Sequence, residues 1–206
     1  MKCASLAQKA QAKFAETYDV YMKLPVEELV YNPQALEMGV RIFSNNCALC
    51  HGSDGGGNVG IPDLSDKDWL YGGSPEQIRH SIEHGRSGNM PPWGDILGSD
   101  NISAIGEYVL KLSGQKHDAT LAANGEGLFA QNCSACHGET GEGMYVLGAP
   151  NLTDDIWLHG GEKNDILRAV WYGFNTSNMP AHKELLREHK LHLLTAYVYS
   201  LSYDYE

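Results

Sequence analysis

The chain carries the run Cys-x-x-Cys-His twice, as CALCH at 47–51 and as CSACH at 133–137. This run is the signature of covalently attached c-type haem. Its two thiols add to the haem vinyl groups, and the adjacent histidine binds the iron from the proximal side. The pattern therefore predicts two covalently bound haem c groups, one held by Cys47, Cys50 and His51 and the other by Cys133, Cys136 and His137.

The Cys-x-x-Cys part of each run also occurs in zinc half-sites and in redox-active dithiols. Here a histidine follows both pairs directly, and no further cysteine pair is present to complete an all-thiolate zinc site. Haem attachment is therefore favoured over these alternatives. Of the five cysteines only Cys3 is left over, and it lacks the preceding apolar run that a lipidation signal requires.

The two motifs belong to a longer internal repeat. Segments 39–43 and 125–129 match at an offset of 86 residues, and the offset grows to 88 and then to 89 further along. The matching positions after the motifs include Pro62 with Pro150, Trp69 with Trp157, Met90 with Met179 and Tyr108 with Tyr197. We therefore predict two copies of one module, at 33–115 and 116–206, preceded by an N-terminal helix and connector at 1–32.

The periodicity within each copy is helical. Asn32 and Pro33 form an N-cap followed by proline at the first helical position. Ser74 with Gln77 forms a capping box at the start of a helix that we expect Gly85 to end. No alternating strand pattern is seen, so we expect an all-α fold, with a further helix over 4–22 that belongs to neither copy. Apolar residues recur at helical spacing near the end of each copy, as Ile102, Ile105, Val109 and Leu112 and as Leu194, Tyr197, Val198 and Leu201.

A haem bound by one histidine needs a ligand on its other face if it is to exchange electrons without binding small molecules. Met90 lies 39 residues after His51 and Met179 lies 42 residues after His137, each in an Asn-Met-Pro turn. A single methionine is usually core filler, but identical turns at equivalent repeat positions favour iron ligation. We therefore predict His51, His137, Met90 and Met179 as the metal ligands. Whether each methionine binds the haem of its own copy or of the other copy stays open.

The remaining candidate ligands are assigned other roles. Met144 is expected to pack on haem or to face solvent, and Met38 is expected to lie in the core. Seven further histidines are interpreted as surface or helix residues, namely His80, His84, His117, His159, His182, His189 and His192.

The formal net charge of −11 makes nucleic acid an improbable class of partner. The acidic surface favours either steering of basic redox partners or simple solubility. No apolar run reaches the length of a membrane span, and the first residues lack the apolar stretch of a signal peptide. Because c-type haem is attached outside the bacterial cytoplasm, we expect an export signal or membrane anchor to be missing from the N-terminus.

Both copies resemble class I cytochromes c, with Cys-x-x-Cys-His early and methionine in a late loop before the last helix. The resemblance implies two tandem domains of that class, each wrapped around one haem. It also implies that the proximal histidine donates its second ring N–H to the carbonyl of Pro62 or Pro150. Trp69 and Trp157 are then placed to line the haem or reach a propionate, with a plain core role equally open.

A closer resemblance is to the dihaem subunit of cbb-type cytochrome c oxidases, and it covers the chain from about residue 20. It rests on segment 149–161 (APNLTDDIWLHGG), on Tyr71-Gly72-Gly73, on Gly88-Asn89-Met90-Pro91 and on the segment from Pro33 to Phe43. Members of that family carry membrane helices ahead of the haem domains. This chain therefore resembles their soluble periplasmic portion, tethered to the inner membrane in the full-length protein.

The resemblance implies an electron relay rather than an enzyme, passing electrons from a periplasmic donor to the catalytic subunit of the oxidase. The implied partners are the catalytic and monohaem subunits of a membrane oxidase and a soluble c-type cytochrome donor. Three alternatives remain: a freestanding dihaem shuttle, a dihaem peroxidase and a sensor that responds to ligand binding at a weak methionine–iron bond. The paired Asn-Met-Pro turns disfavour the peroxidase and the sensor, because a methionine would then leave neither iron free to bind a small molecule.

Overall fold

The computed structural model describes residues 18–174 and 178–203, and this part of the chain is mostly helical. Residues 4–17 of the predicted first helix lie outside the described residues, and residues 18–21 are helical. The elements are α1 (Val26–Leu29), α2 (Pro33–Asn46), α3 (Ala48–His51), α4 (Pro75–His84), β1 (Arg86–Ser87), α5 (Gly94–Leu112), α6 (Ala119–Asn132), α7 (Ser134–His137), α8 (Lys163–Tyr172), β2 (Asn178–Met179) and α9 (Glu188–Leu201).

Local side-chain chemistry starts the first long helices where the sequence predicts. The Asn32 side chain accepts a hydrogen bond from the backbone N–H of Ala35 at 3.0 Å, with proline at the first position of α2. Ser74 and Gln77 form the complete capping box at the start of α4. Gly85, at φ 71°, ends α4 in a conformation that favours glycine. These predicted helix boundaries are confirmed.

The helices assemble into two packing units that cross the boundary between the sequence repeats. In the first packing unit, α2 and α4 of the first repeat pack against α9 of the second. In the second packing unit, α6 and α8 of the second repeat pack against α5 of the first. The helix packing thus departs from the predicted division into 33–115 and 116–206, because the last helix of each repeat joins the other repeat.

Each packing unit has its own apolar core. The core of the first unit includes Phe43, Ile78, Ile82, Leu194 and Val198. The core of the second unit includes Ile102, Ile105, Val109, Phe129 and Val170. The predicted apolar stripes of α5 and α9 thus contribute buried residues, but to the core of the opposite repeat.

Glycines allow the exchanged helices to come close. A Cβ atom on Gly39 of α2 would lie 2.5 Å from Tyr197 Cβ and 2.7 Å from the Leu193 carbonyl oxygen of α9. A Cβ atom on Gly125 of α6 would fall onto the Ala104 carbonyl of α5. Glycine is therefore required at both helix crossings, since any side chain would push the exchanged helix away.

The two units meet at a short antiparallel pairing. Strand β1 pairs with β2, with Arg86 opposite Met179. Next to it, Met90 and Phe174 exchange two backbone hydrogen bonds, of 2.8 and 2.9 Å. This pairing brings the Asn-Met-Pro turn of each repeat to the helix α4 or α8 of the other repeat.

Candidate haem-binding sites

The two Cys-x-x-Cys-His motifs form single helical turns, α3 and α7, directly after α2 and α6. The first cysteine of each motif is half-buried and the second is exposed. His51 Nδ1 lies 3.1 Å from the Pro62 carbonyl oxygen, and His137 Nδ1 lies 3.0 Å from that of Pro150. With Nδ1–H donating to the proline, Nε2 is the ring nitrogen left to bind a metal.

Burial keeps both proximal imidazoles in the state that a metal requires. It lowers the pKa of His51 and of His137 below the ordinary value of 6.5, and the hydrogen bonds to the prolines offset this only in part. A neutral imidazole is the form that ligates iron. Near neutral pH, neither histidine needs to lose a proton before binding.

Burial has the opposite effect on the pKa of the first cysteine of each motif. It raises the pKa of Cys47 and of Cys133 to about 11, with a smaller contribution from the charge of the neighbouring Cys50 or Cys136. The side chains of Cys47 and Cys133 are therefore protonated thiols at neutral pH.

A glycine-rich loop holds each proline in place under its histidine. The N–H of Gly57 donates to the His51 carbonyl oxygen at 2.9 Å, and the N–H of Gly143 donates to that of His137 at 2.8 Å. Both glycines have positive φ, and a Cβ atom on Gly57 would lie 2.5 Å from the Ile61 carbonyl oxygen. The two loops therefore have the same construction despite the two-residue insertion in the second.

The methionine turns are exchanged together with the last helices. Met179 packs against the first core, which Cys47 also touches. Met90 packs against the second core, which Cys133 also touches. Each Asn-Met-Pro turn thus lies with the Cys-x-x-Cys-His motif of the other repeat.

Two glycines of equivalent position hold these turns against the helices. Gly85, after α4, has a φ of 71°, and a Cβ atom there would fall onto the Met179 carbonyl. Gly173, after α8, has a φ of 63°, and a Cβ atom there would fall onto the Met90 carbonyl. The same close contact thus fixes both methionine backbones.

The two predicted tryptophans also divide between the units. Trp69 packs against the first core and Trp157 against the second. Each lies over a glycine, since a Cβ atom on Gly73 would be 2.5 Å from Trp69 Cδ1 and one on Gly161 would fall onto Trp157. The indoles therefore have equivalent places beside the two motifs.

The other methionines and histidines mostly lie as expected. Met144 is 37% exposed, and His84 is exposed beside Glu83. Met38 is half-buried against a smaller apolar cluster that includes Leu29 and Leu193. The interpretation of His182 as a surface or helix residue is wrong, because its side chain is buried at 8% exposure and the residue lies outside the helices. In residues 18–174 and 178–203 no group of three or more His, Cys, Asp or Glu side chains gathers at a metal-binding spacing. Nor does a helix in these ranges have the length and apolar character of a membrane span.

Comparison with known proteins shows the family of the chain. The family model described as "Cytochrome C oxidase, cbb3-type, subunit III" matches residues 34–109 and 120–198. The chain belongs to this family. The two matched segments correspond to the two sequence repeats, so the family resemblance predicted from the sequence is confirmed.

Curated members of the family align over most of the chain. The cbb3-type cytochrome c oxidase subunit CcoP of Rubrivivax gelatinosus is 44% identical over 95% of this chain and 64% of its own length. Subunit CcoP of Cereibacter sphaeroides is 44% identical over 81% of this chain and 61% of its own length. Subunit FixP of Azorhizobium caulinodans is 42% identical over 86% and 65%. The chain thus spans slightly less than two thirds of these relatives.

Proposed function

We propose that the chain binds two covalently attached haem c groups and passes electrons one at a time between them and its partners. The observation that carries the proposal is the duplicated set of side chains in each packing unit. Each unit has two cysteines on one helical turn, a histidine anchored through Nδ1 to a proline carbonyl, and a methionine packed on the same core. These donors fit a haem c with two axial ligands.

The proposed ligand sets cross between the repeats. The haem of the first unit is held by Cys47, Cys50, His51 and Met179, and that of the second unit by Cys133, Cys136, His137 and Met90. When bound, each haem supplies an iron that alternates between the ferric and ferrous states.

The protein side chains set the conditions for that exchange. The thioether of methionine is a soft, neutral ligand that favours ferrous iron and raises the potential relative to a second imidazole. The Pro62 and Pro150 carbonyls orient the proximal rings. Trp69, Trp157 and the two apolar cores exclude water from the irons. With a histidine and a methionine side chain available to each iron, the sites would pass electrons rather than activate oxygen.

In the full-length protein we propose a relay from a soluble c-type cytochrome to the catalytic and monohaem subunits of a membrane oxidase. The names of the relatives support this role, since they are subunits of cbb3-type cytochrome c oxidases. The proposed location is the periplasm, with a tether to the inner membrane.

The haem count tests the cofactor proposal. The intact mass of the denatured protein should show two retained haems, and Cys133→Ser with Cys136→Ser should leave one. Retention of two haems by that variant, or of none by the wild type, contradicts covalent attachment at these motifs.

The reactivity of the reduced protein tests the relay. It should reduce an oxidised basic c-type cytochrome rapidly, and the rate should fall as ionic strength rises, because exposed charges are screened over about 8 Å at physiological salt. Fast, saturable turnover of hydrogen peroxide would instead favour the peroxidase alternative.

A further inference from the structure

His182 lies in a buried position three residues after Met179. Its backbone N–H donates to the Ile82 carbonyl oxygen at 3.0 Å, and Ile82 belongs to the core of the first packing unit. Its own carbonyl oxygen accepts from the N–H of Leu185 at 3.0 Å and of Leu186 at 2.8 Å. The backbone of His182 is therefore fixed from both sides, beside the core that carries Cys47 and Met179.

The ring of His182 has an unsatisfied polar atom. Its Nδ1 atom is buried and has no hydrogen-bond partner, and it is the one such side-chain atom within the described residues. A buried polar group without a partner destabilises the folded state, and such groups are rare in folded proteins. The thioether of Met179 belongs to the same turn but does not serve as its partner. The position therefore calls for an acceptor that the polypeptide does not supply.

The second packing unit has a different residue at the same place. Trp93 lies three residues after Met90, and its backbone N–H donates to the Val170 carbonyl oxygen at 3.0 Å. Val170 is the repeat equivalent of Ile82, so the two backbones have the same anchor. The units thus differ in the side chain placed there, an imidazole in the first and an indole in the second.

We propose that His182 Nδ1–H donates a hydrogen bond to a propionate carboxylate of the haem in the first packing unit. This inference rests on the proposed function, since it requires haem at Cys47 and Cys50. The propionates are the hydrogen-bond acceptors at the rim of a haem, so an acceptor brought by haem is a carboxylate. A charge-assisted bond of this kind is stronger than one between neutral groups. It would also disperse the negative charge of the propionate in a chain whose net charge is already −11.

His182 is therefore a positioning residue that makes the reduction potentials of the two haems differ. The negative charge of a propionate stabilises ferric iron. A hydrogen bond donated to the propionate disperses that charge and so weakens the stabilisation. Removing the donor should lower the reduction equilibrium constant of the first haem by about threefold to tenfold, since only the part of the hydrogen-bond energy that differs between redox states counts.

The test uses the haem-loaded protein with propionates labelled with carbon-13, followed by redox-difference infrared spectroscopy and potentiometry. His182→Phe removes the donor and keeps an aromatic ring. His182→Asn keeps an N–H close to the place of Nδ1, whereas His182→Gln moves its N–H towards the place of Nε2. Trp93→Phe is the matched control in the second unit.

We expect the labelled carboxylate band of one haem to shift in His182→Phe and in His182→Gln, with the lowered equilibrium constant, and to be retained in His182→Asn. Trp93→Phe should leave that band in place. If the Phe and Gln variants keep the wild-type band and potentials, the inference is overturned even though both haems are present. If the wild type lacks haem at the first motif, the proposed function fails instead, and the haem count separates the two outcomes.

Discussion

The two packing units hold their exchanged helices by different chemistry. In the second unit, Glu107 of α5 is 3% exposed and accepts from the Asp118 N–H at 2.6 Å and from Lys163 Nζ. In the first unit, the equivalent position on α9 is Ala196, which is fully buried. The polar contacts there include an exposed pair between Arg79 of α4 and Glu188 at 2.6 Å and a part-buried contact of His192 Nε2 with the Leu24 carbonyl oxygen at 3.0 Å.

This difference shows how one repeat can keep its architecture while its stability is distributed differently. Removing the charge of a buried carboxylate that accepts two hydrogen bonds is costly, because the two donors lose their partner. A surface ion pair contributes about 0–1 kcal/mol. We therefore expect α5 to be held by specific polar contacts and apolar packing, and α9 mainly by apolar packing.

The largest expected effect comes from removing α9 by ending the chain at Arg187. Because α9 completes the first unit, α2 and α4 should lose amide protection in hydrogen-exchange mass spectrometry. Helices α6 and α8 should keep theirs, although they belong to the same repeat as the deleted helix. Loss of protection in α6 and α8 with retention in α2 would contradict the helix exchange.

Next in size are substitutions at the helix crossings. Gly125→Ala and Gly39→Ala should each destabilise the protein by about 1–3 kcal/mol in urea unfolding, because the added methyl group meets backbone or a packed Tyr197 Cβ. Gly127→Ala is the control, since nothing lies within 4 Å of its added Cβ. It should be neutral or stabilising by up to about 1 kcal/mol. Equal effects at all three positions would contradict the close helix crossings at Gly39 and Gly125.

An effect of similar size is expected from Glu107→Gln, at about 1–3 kcal/mol near neutral pH. The hydrogen bond from Lys163 and that from the Asp118 N–H lower the pKa of Glu107 below 4.5. Its contribution is therefore fully present above pH 4.5 and is lost as the pH falls through the lowered pKa. The difference between wild type and variant should shrink in that acidic range. A difference that stays constant down to pH 2 would show that the charge of Glu107 is not involved.

The smallest effect is expected from Glu188→Gln in the first unit, which leaves the pair between Arg79 and Glu83 in place. Glu188 is 61% exposed, so losing its pair should cost about 0.2–1 kcal/mol, and less in high salt. A loss as large as that of Glu107→Gln would invalidate the contrast between the two units.

Much of this structure follows from local sequence. The caps at Asn32 and Ser74 and the turn at Gly85 depend on neighbouring residues only, and they are found where predicted. The repeat also places Pro62 and Pro150 at the same distance from their motifs except for a short insertion, and both accept from a histidine. The candidate site could be anticipated because each copy contains all of its proximal residues in one continuous segment.

The exchange could not be predicted, because the repeats offer the same partners. Gly39 packs on Tyr197 and Gly125 on Tyr108, and these two tyrosines occupy equivalent positions in the two repeats. Unexchanged packing would bring together the same residue types, so no local pattern distinguishes the two arrangements. The burial of His182 is likewise a tertiary effect, since its neighbours Ala181 and Lys183 are exposed.

The central claim is that each haem takes its methionine from the other repeat. A crystal structure of the haem-loaded protein, with both irons located by anomalous scattering, measures this directly. We predict that the iron over His137 is bonded to the sulfur of Met90 and that the iron over His51 is bonded to the sulfur of Met179. Bonds from Met179 to the iron over His137 and from Met90 to the iron over His51 would contradict the account.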